Sequence, residues 1–363
     1  MKAWRLYKFG DMRLDDVPMP KVRPGWVLIE LRMVQPSVTE VQWSRGILME
    51  FGAKIEKLVK EKAPFQMFGH EFCGTVVEVG EGVTNLKSGD RVFYWRRAAC
   101  HKCDLCLAGY EEQCRKGPVL GIDIQGCFAE YMLLPAETLT SIPDSITDSE
   151  GAAMQPLAGV VADVHAIDVD MGDIIVILGQ GVIGLNVLQV CQICGSGKII
   201  TVDVRDDVLA LSSDLGADII INANKMDPIE SVLEATGGKG ADIVFECAGG
   251  SPQQGLSGTK TLSQTVRVVR DGGKIMQVAN LQADAALEVM PISMRGIQYH
   301  GQAFCTQKLI EYTVNLVASK RVRLTPLITH TLEGLDKVGE AFEITGDKRR
   351  YGAINPAQVK VSE

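Results

Sequence analysis

The chain has 363 residues, too many for one ordinary hydrophobic core and enough for two domains. Hydrophobic residues make up 46% and charged residues 23%, which excludes disordered and fibrous classes. The net charge of −8 argues against nucleic acid as a partner, and no apolar run approaches the roughly 18 residues of a membrane span.

Short β-type segments separated by glycine and proline fill the first 150 residues. Residues 27–32 alternate like a half-buried strand, residues 74–80 form a second strand, and a turn at 89–92 leads into a third. Residues 50–62 have apolar residues at helical spacing and predict a surface helix. We therefore predict a compact, β-rich, barrel-like domain.

The pattern changes near residue 150. Residues 174–178 are a continuous apolar run, typical of a parallel strand buried on both faces, and a glycine-rich turn and a helix at 184–194 follow. Later strands are predicted at 198–203, 241–246 and 273–278. This alternation predicts a doubly wound α/β domain at 156–294. The β-rich domain then comprises residues 1–155 and 295–363.

The glycine-rich turn has the pattern G-x-G-x-x-G, formed by Gly179, Gly181 and Gly184 between a strand and a helix. In a dinucleotide site, the first glycine permits the tight turn. The second allows close approach of the pyrophosphate, and the third lets the helix pack on the strand. Phosphates are expected on the N–H groups of the helix start, at Val182 and Ile183.

Asp203 ends the next predicted strand, where a carboxylate can accept hydrogen bonds from ribose hydroxyls and repel a 2′-phosphate. This predicts NAD, whereas Arg205 nearby is a mild signal for NADP. Val278, at the end of a later strand, is also expected to bind the cofactor. The alternative interpretation is a structural turn followed by a solvated aspartate.

Four cysteines, Cys100, Cys103, Cys106 and Cys114, lie within a short loop. The N-terminal residues 1–7 lack the apolar region of a secretory signal, so we expect a cytoplasmic protein. In that compartment such a cluster indicates a metal site rather than disulfides. Four thiolates close the coordination shell of zinc, which predicts one structural zinc; an iron–sulfur cluster and unligated thiols are the alternatives.

Three features together resemble the medium-chain dehydrogenase/reductase superfamily, in its zinc-containing alcohol, sorbitol and threonine dehydrogenase branch. They are Gly69-His70-Glu71 leading into residues 74–80, the four-cysteine loop, and Gly179 to Gly184. The resemblance implies a GroES-like catalytic domain with a Rossmann domain, an NAD(P) cofactor, a small-molecule substrate, and a homodimer or homotetramer.

The chain departs from that family at the catalytic metal. The family uses a cysteine in an early loop, the histidine of G-H-E, and a later acidic residue or cysteine. Here Ser37 and Gln155 stand at the first and last of these positions, and only His70 remains. A hydroxyl and a carboxamide are poor replacements for anionic ligands, so we predict that the catalytic zinc is absent or weakly held.

The same early loop contains Thr39, which matches the hydroxyl residue of the family's proton relay, while Glu40 and Gln42 replace an aspartate and a histidine. We predict that His70 acts as the acid/base, that Thr39 positions the reacting hydroxyl, and that Glu71 orients the imidazole. The alternative is that His70 and Glu71 are only satisfied polar residues.

The predicted function is NAD-dependent oxidation of a secondary alcohol to a ketone, with cyclic, anionic and CoA-linked alcohols as candidate substrates. Arg96 and Arg97 are interpreted as surface ion-pair residues, with binding of a carboxylate or phosphate as the alternative. Two other functions are considered: zinc-independent reduction of a conjugated carbon–carbon double bond, and a non-catalytic dinucleotide-binding sensor.

Overall fold

The computed structural model describes residues 1–48, 51–249, 259–281 and 285–362. The chain divides into two compact units: the first comprises Met1–Gln155, Cys305–Ala318 and Arg323–Glu363, and the second comprises Pro156–Phe304 and Ser319–Val322. The chain thus returns to the first unit at residue 305, later than the expected residue 295. The reason is a short strand at Gln298–His300, which joins the sheet of the second unit.

The strands, in chain order, are β1 (Lys2–Lys8), β2 (Asp11–Asp16), β3 (Trp26–Gln35), β4 (Phe65–Gln66), β5 (Glu71–Val79), β6 (Arg91–Tyr94), β7 (Tyr131–Pro135), β8 (Leu139–Ser141), β9 (Ile174–Leu178), β10 (Lys198–Asp203), β11 (Ile219–Asn222), β12 (Ala241–Glu246), β13 (Val269–Gln277), β14 (Gln298–His300), β15 (Thr331–Glu333) and β16 (Gln358–Lys360).

The α-helices are α1 (Val38–Ser44), α2 (Gly52–Lys62), α3 (Asp104–Leu107), α4 (Asp148–Ala152), α5 (Met154–Ile167), α6 (Val182–Cys194), α7 (Asp206–Asp214), α8 (Pro228–Ala235), α9 (Lys260–Val268), α10 (Val289–Met294), α11 (Gln307–Ala318), α12 (Val338–Gly346) and α13 (Lys348–Tyr351). Across the described ranges, none of them combines the length and apolarity needed to cross a membrane.

The first unit is β-rich, as predicted. In its described part, β15-β16-β3-β5-β6-β8 form one sheet, with β7 also paired to β3, and β2-β1-β4 form a smaller one. The buried faces of these strands enclose a core that includes Leu31, Phe72 and Phe128. The surface helix predicted at 50–62 is α2, which begins at Gly52; residue 50 lies outside the described residues.

The second unit is a doubly wound α/β domain, which confirms the predicted fold class. Within the described residues, its strands form a parallel sheet in the order β11-β10-β9-β12-β13-β14. The strands predicted at 174–178, 198–203 and 241–246 have those bounds. Their central residues, including Val176, Ile200 and Val244, are fully buried, as strands covered on both faces require.

Candidate active site and cofactor-binding residues

The glycine turn lies between β9 and α6. Gly179 has a φ of +94°, and a Cβ there would lie 2.7 Å from Cα of Ala248. A Cβ on Gly184 would lie 1.9 Å from the carbonyl oxygen of Gly179. The first glycine is therefore required by backbone conformation and packing, and the third by the close approach of helix to turn.

Gly181 differs from the other two because the protein itself does not require a glycine there. It is the N-cap of α6 with a φ of −73°, and a Cβ would meet nothing within 4 Å. No side chain caps the helix, so the first N–H groups of α6, including those of Val182 and Ile183, can face a ligand. The open space and free donors fit a pyrophosphate.

Asp203 is the last residue of β10 and lies beside the glycine turn. Its carboxylate accepts the backbone N–H of Gln180 at 2.6 Å, and those of Val204 and Arg205 at 2.7 and 2.9 Å. The guanidinium of Arg205 binds both carboxylate oxygens of Asp207, at 3.0 and 2.5 Å. The turn thus has a carboxylate beside it, while the nearby arginine is held by its own acidic partner.

Val278 follows β13 directly. Its backbone N–H donates to the carbonyl of Glu246 at 3.0 Å, and Glu246 is the last residue of β12. Because the carboxyl ends of parallel strands lie at one edge of the sheet, Val278 is at the same edge as the glycine turn that follows β9. This is the edge at which a Rossmann domain binds a dinucleotide.

Cys100, Cys103, Cys106 and Cys114 form one cluster after β6. Their sulfurs all lie within 4.8 Å of one another, with 3.4 Å between those of Cys103 and Cys106. Ligands about 2.3 Å from a tetrahedral zinc are roughly 3.8 Å apart, so the set fits zinc. The backbone N–H of Lys102 is the largest influence lowering the pKa of Cys100, to about 6, whereas burial is the largest influence raising the pKa of Cys106, to about 12, so without a metal the set favours a thiolate at Cys100 and a thiol at Cys106.

Ser37 and Glu40 start α1 as a reciprocal pair. The hydroxyl of Ser37 accepts the N–H of Glu40 at 3.2 Å, and the Glu40 carboxylate accepts the N–H of Ser37 at 2.8 Å. The other carboxylate oxygen of Glu40 contacts Nδ1 of His70 at 2.6 Å. The Glu40 side chain is fully buried and that of His70 is 27% exposed. The helix cap therefore also positions the histidine.

The charges around His70 determine its protonation. Burial, the largest single influence, lowers the pKa of the imidazole. The charge and hydrogen bond of Glu40, together with the charge of Glu71, outweigh it and raise the pKa to about 9. Nδ1 is occupied by Glu40, so Nε2 is the ring nitrogen left for a reacting group.

Glu71 begins β5 and is buried. Its carboxylate accepts the side-chain amide of Gln35 at 2.5 Å. Burial raises the pKa of Glu71, while His70, the Gln35 hydrogen bond and Lys348 oppose that rise. The structure therefore gives His70 two acidic neighbours: Glu40 makes the orienting contact that was predicted for Glu71, and Glu71 acts on the ring through its charge.

The remaining predicted positions offer poor donors for a catalytic zinc. The Ser37 hydroxyl is used as the helix cap, and Gln155 is a half-buried carboxamide at the start of α5. Within the described residues, the four-cysteine cluster is the only group of three or more His, Cys, Asp or Glu side chains arranged to hold a metal. The donors around His70 therefore do not fit zinc. Thr39 is half-buried in the first turn of α1.

The two arginines after β6 have different surroundings. Arg96 donates to the carbonyl of Glu137 at 3.0 Å and stacks on Trp95. The guanidinium of Arg97 lies 4.7 Å from the ring centre of Phe51, and its charge lowers the pKa of His70. Arg97 thus adds positive charge near the candidate site, and Arg96 is held by Trp95 and by the segment between β7 and β8.

The sequence did not single out Gln35, and it noted Glu40 only as a departure from the family pattern. The signal for Glu40 was present, because Ser37-x-x-Glu40 is a capping-box pattern that predicts a helix start with the glutamate side chain turned back toward the backbone of Ser37. Gln35 carries no such signal, since its contact with Glu71 joins two different strands.

Two family models match the chain: residues 23–144 match the alcohol dehydrogenase GroES-like domain, and residues 182–319 match the zinc-binding dehydrogenase domain. An L-threonine 3-dehydrogenase of Bacillus velezensis is 30% identical over 91% of both chains. An uncharacterised zinc-type alcohol dehydrogenase-like protein of Escherichia coli is 31% identical over 98% of this chain and 97% of its own. A zinc-binding dehydrogenase structure from Sinorhizobium meliloti, bound to NADP, has a TM-score of 0.83 and 25% identity over 100% of this chain and 99% of its own.

Proposed function

Because the chain belongs to the zinc-containing branch of the medium-chain dehydrogenase/reductase superfamily, we propose that it oxidises a secondary alcohol to a ketone with NAD and without a catalytic zinc. The relatives are dehydrogenases, which makes the chain an NAD(P)-dependent oxidoreductase. The observation that carries the finer proposal is the contact of His70 with the buried Glu40, while a helix-capping serine, Ser37, and a carboxamide, Gln155, stand at the family's other metal-ligand positions.

The proposed chemistry uses residues of the first unit. Bound NAD supplies the acceptor for the hydride that leaves the carbinol carbon. Neutral His70 takes the hydroxyl proton on Nε2 as the carbonyl forms, and Glu40 stabilises the resulting imidazolium through Nδ1. Thr39 orients the reacting hydroxyl, and Glu71 adds negative charge that further stabilises the protonated ring.

The pKa of about 9 determines the pH at which each direction is favoured. Oxidation needs neutral His70, so its rate rises with pH through about 9. Reduction of the ketone needs the imidazolium as proton donor and is favoured below that pH. Near neutral pH we therefore expect ketone reduction to be faster than in an enzyme whose catalytic histidine has the ordinary pKa of 6.5.

NAD is proposed over NADP because Asp203 lies beside the glycine turn, where its charge opposes a 2′-phosphate. The NADP bound to the Sinorhizobium meliloti structure makes this the point to test directly. One zinc per chain is proposed in the four-cysteine cluster, where a closed coordination shell holds the loop and leaves no position for substrate.

The test combines metal content with turnover. Purified protein is analysed for zinc, and reduction of NAD and of NADP by a panel of secondary alcohols is measured before and after mild chelation. We expect one zinc, a preference for NAD, and activity indifferent to chelation. Two zincs, with activity lost alongside the looser one, would overturn the zinc-free mechanism.

A matched pair of variants tests the role of His70. His70→Ala should lower kcat at least roughly tenfold. His165→Ala removes an exposed histidine of α5 and should leave kcat unchanged. Equal kcat values in the two variants would remove His70 from the mechanism.

A further inference from the structure

A network of hydrogen-bonded, buried side-chain amides connects the C-terminal segment to Glu71. The side-chain oxygen of Gln35 accepts Nδ2 of Asn355 at 2.8 Å and Nε2 of Gln358 at 2.9 Å. Gln35, Asn355 and Gln358 are all essentially inaccessible to solvent. The two partners of Gln35 are 320 and 323 residues away in sequence.

The orientation of the Asn355 and Gln358 amides follows from the backbone carbonyls to which they also donate. Nδ2 of Asn355 also donates to the carbonyl of Pro356 at 3.0 Å, and Nε2 of Gln358 donates to that of Ser149 at 2.8 Å. A carbonyl can only accept, so both groups are NH₂ donors. Because these donors meet the Gln35 oxygen, the NH₂ group of Gln35 must face Glu71.

A fixed donor on Glu71 has a direct consequence for that carboxylate. A buried carboxylate without a donor is costly and would turn toward water or take a proton. Gln35 cannot offer its oxygen to Glu71 without breaking two hydrogen bonds at its other end. It therefore holds Glu71 as an acceptor at one position beside His70.

We propose that Gln35 is a positioning residue that orients the Glu71 carboxylate beside His70, with its own amide fixed by Asn355 and Gln358. This rests on the proposed function of His70. The geometry makes the C-terminal segment a support for the candidate active site, since each of its two amide donors restrains the rotation of the Gln35 amide.

A double-mutant cycle with Glu71→Gln tests whether Gln35 acts through Glu71. Gln35→Met keeps the side-chain length and removes the amide. We expect it to lower kcat about tenfold in the parent and less than about twofold in the Glu71→Gln background, with KM for NAD unchanged. Equal losses in both backgrounds would mean a merely structural role and would overturn the proposal.

The control is Gln66→Met, which removes another buried amide of the first unit, one that donates to the carbonyl of Gly126. It should lower the melting temperature without lowering kcat. If Gln35→Met does not fold, Asn355→Ala replaces it in the cycle, with an expected loss of a few fold in kcat that disappears in Glu71→Gln. A loss that persists there overturns the proposal.

The outcomes separate this inference from the proposed function. If His70→Ala keeps full activity, the proposed role of His70 is wrong, and the positioning role of Gln35, which rests on it, is wrong as well. If His70→Ala is inactive while Gln35→Met and Asn355→Ala turn over like the parent, the function stands and the positioning role of Gln35 is wrong.

Discussion

Replacing Glu40 by glutamine should change the pH at which the enzyme works. The substitution keeps the size of the side chain and removes the charge that contacts Nδ1 of His70 at 2.6 Å. The rise in the His70 pKa from its ordinary 6.5 to about 9 corresponds to about 3 kcal/mol, at about 1.4 kcal/mol per unit. Burial and the charge of Arg97 lower the pKa, and of the groups that raise it only Glu71 remains, so we expect the pKa of His70 in the variant to fall well below 9.

The assay is kcat/KM for alcohol oxidation between pH 5 and 11. The parent should rise to a plateau above about pH 9, and the Glu40→Gln variant should reach its plateau at a clearly lower pH. The plateau itself should be lower in the variant, because a weaker and less firmly oriented base transfers the proton more slowly. A midpoint that stays near 9 in the variant would refute the assignment of that pKa to the His70–Glu40 pair.

The control is Glu150→Gln. Glu150 is the buried third residue of α4 and forms the same reciprocal cap with Thr147, while its other carboxylate oxygen accepts the hydroxyl of Thr325 at 3.2 Å. Glutamine can also complete a capping box, so both variants should keep most of the stabilisation from the cap. Only Glu40→Gln should lose the part of the stability that is complete below pH 6.5 and disappears as the pH rises through about 9. If Glu150→Gln moves the activity profile equally, the effect comes from the fold and not from the charge.

Three further predictions follow from single sites. Gly181→Ala should melt like the parent because a Cβ there meets no protein atom, and it should bind NAD more weakly because that Cβ occupies the space expected for the pyrophosphate, whereas Gly184→Ala should unfold more readily. Melting curves and NAD titration distinguish the two variants, and equal losses in melting temperature would contradict this prediction. Burial raises the pKa of Asp163 to about 7 while its carboxylate accepts the N–H of Ala303. Asp163→Asn should therefore be more stable than the parent by a few kcal/mol at pH 8 and no more stable at pH 4, because the cost of the buried charge grows as the pH rises from 3.8 through about 7. Urea unfolding at both pH values checks this, and no gain in stability at pH 8 would disprove it. Cys103→Ser should lose the bound zinc and lower the melting temperature, and metal analysis that still finds one zinc would show that the metal lies elsewhere.

The sequence by itself determined the features whose physics is local. The strands at 174–178, 198–203 and 241–246 have the predicted bounds because a strand buried on both faces needs apolar residues at its centre. The four-cysteine loop and the glycine turn were recognisable because the residues of each motif are close together in the sequence as well as in the structure. The β-rich and doubly wound architecture followed from the same local patterns.

Only the tertiary structure decided which groups act together around His70. Glu40 reaches the ring because α1 is capped beside the start of β5. Gln35 meets Glu71 because β3 and β5 are paired, and it is held by residues more than 300 positions away. The later domain boundary has the same origin, since β14 belongs to the second unit through its pairing with β13. Hydrogen bonds between distant segments produce no periodic pattern in the sequence of either segment, because whether a donor meets its acceptor depends on how the two segments pack in the folded protein.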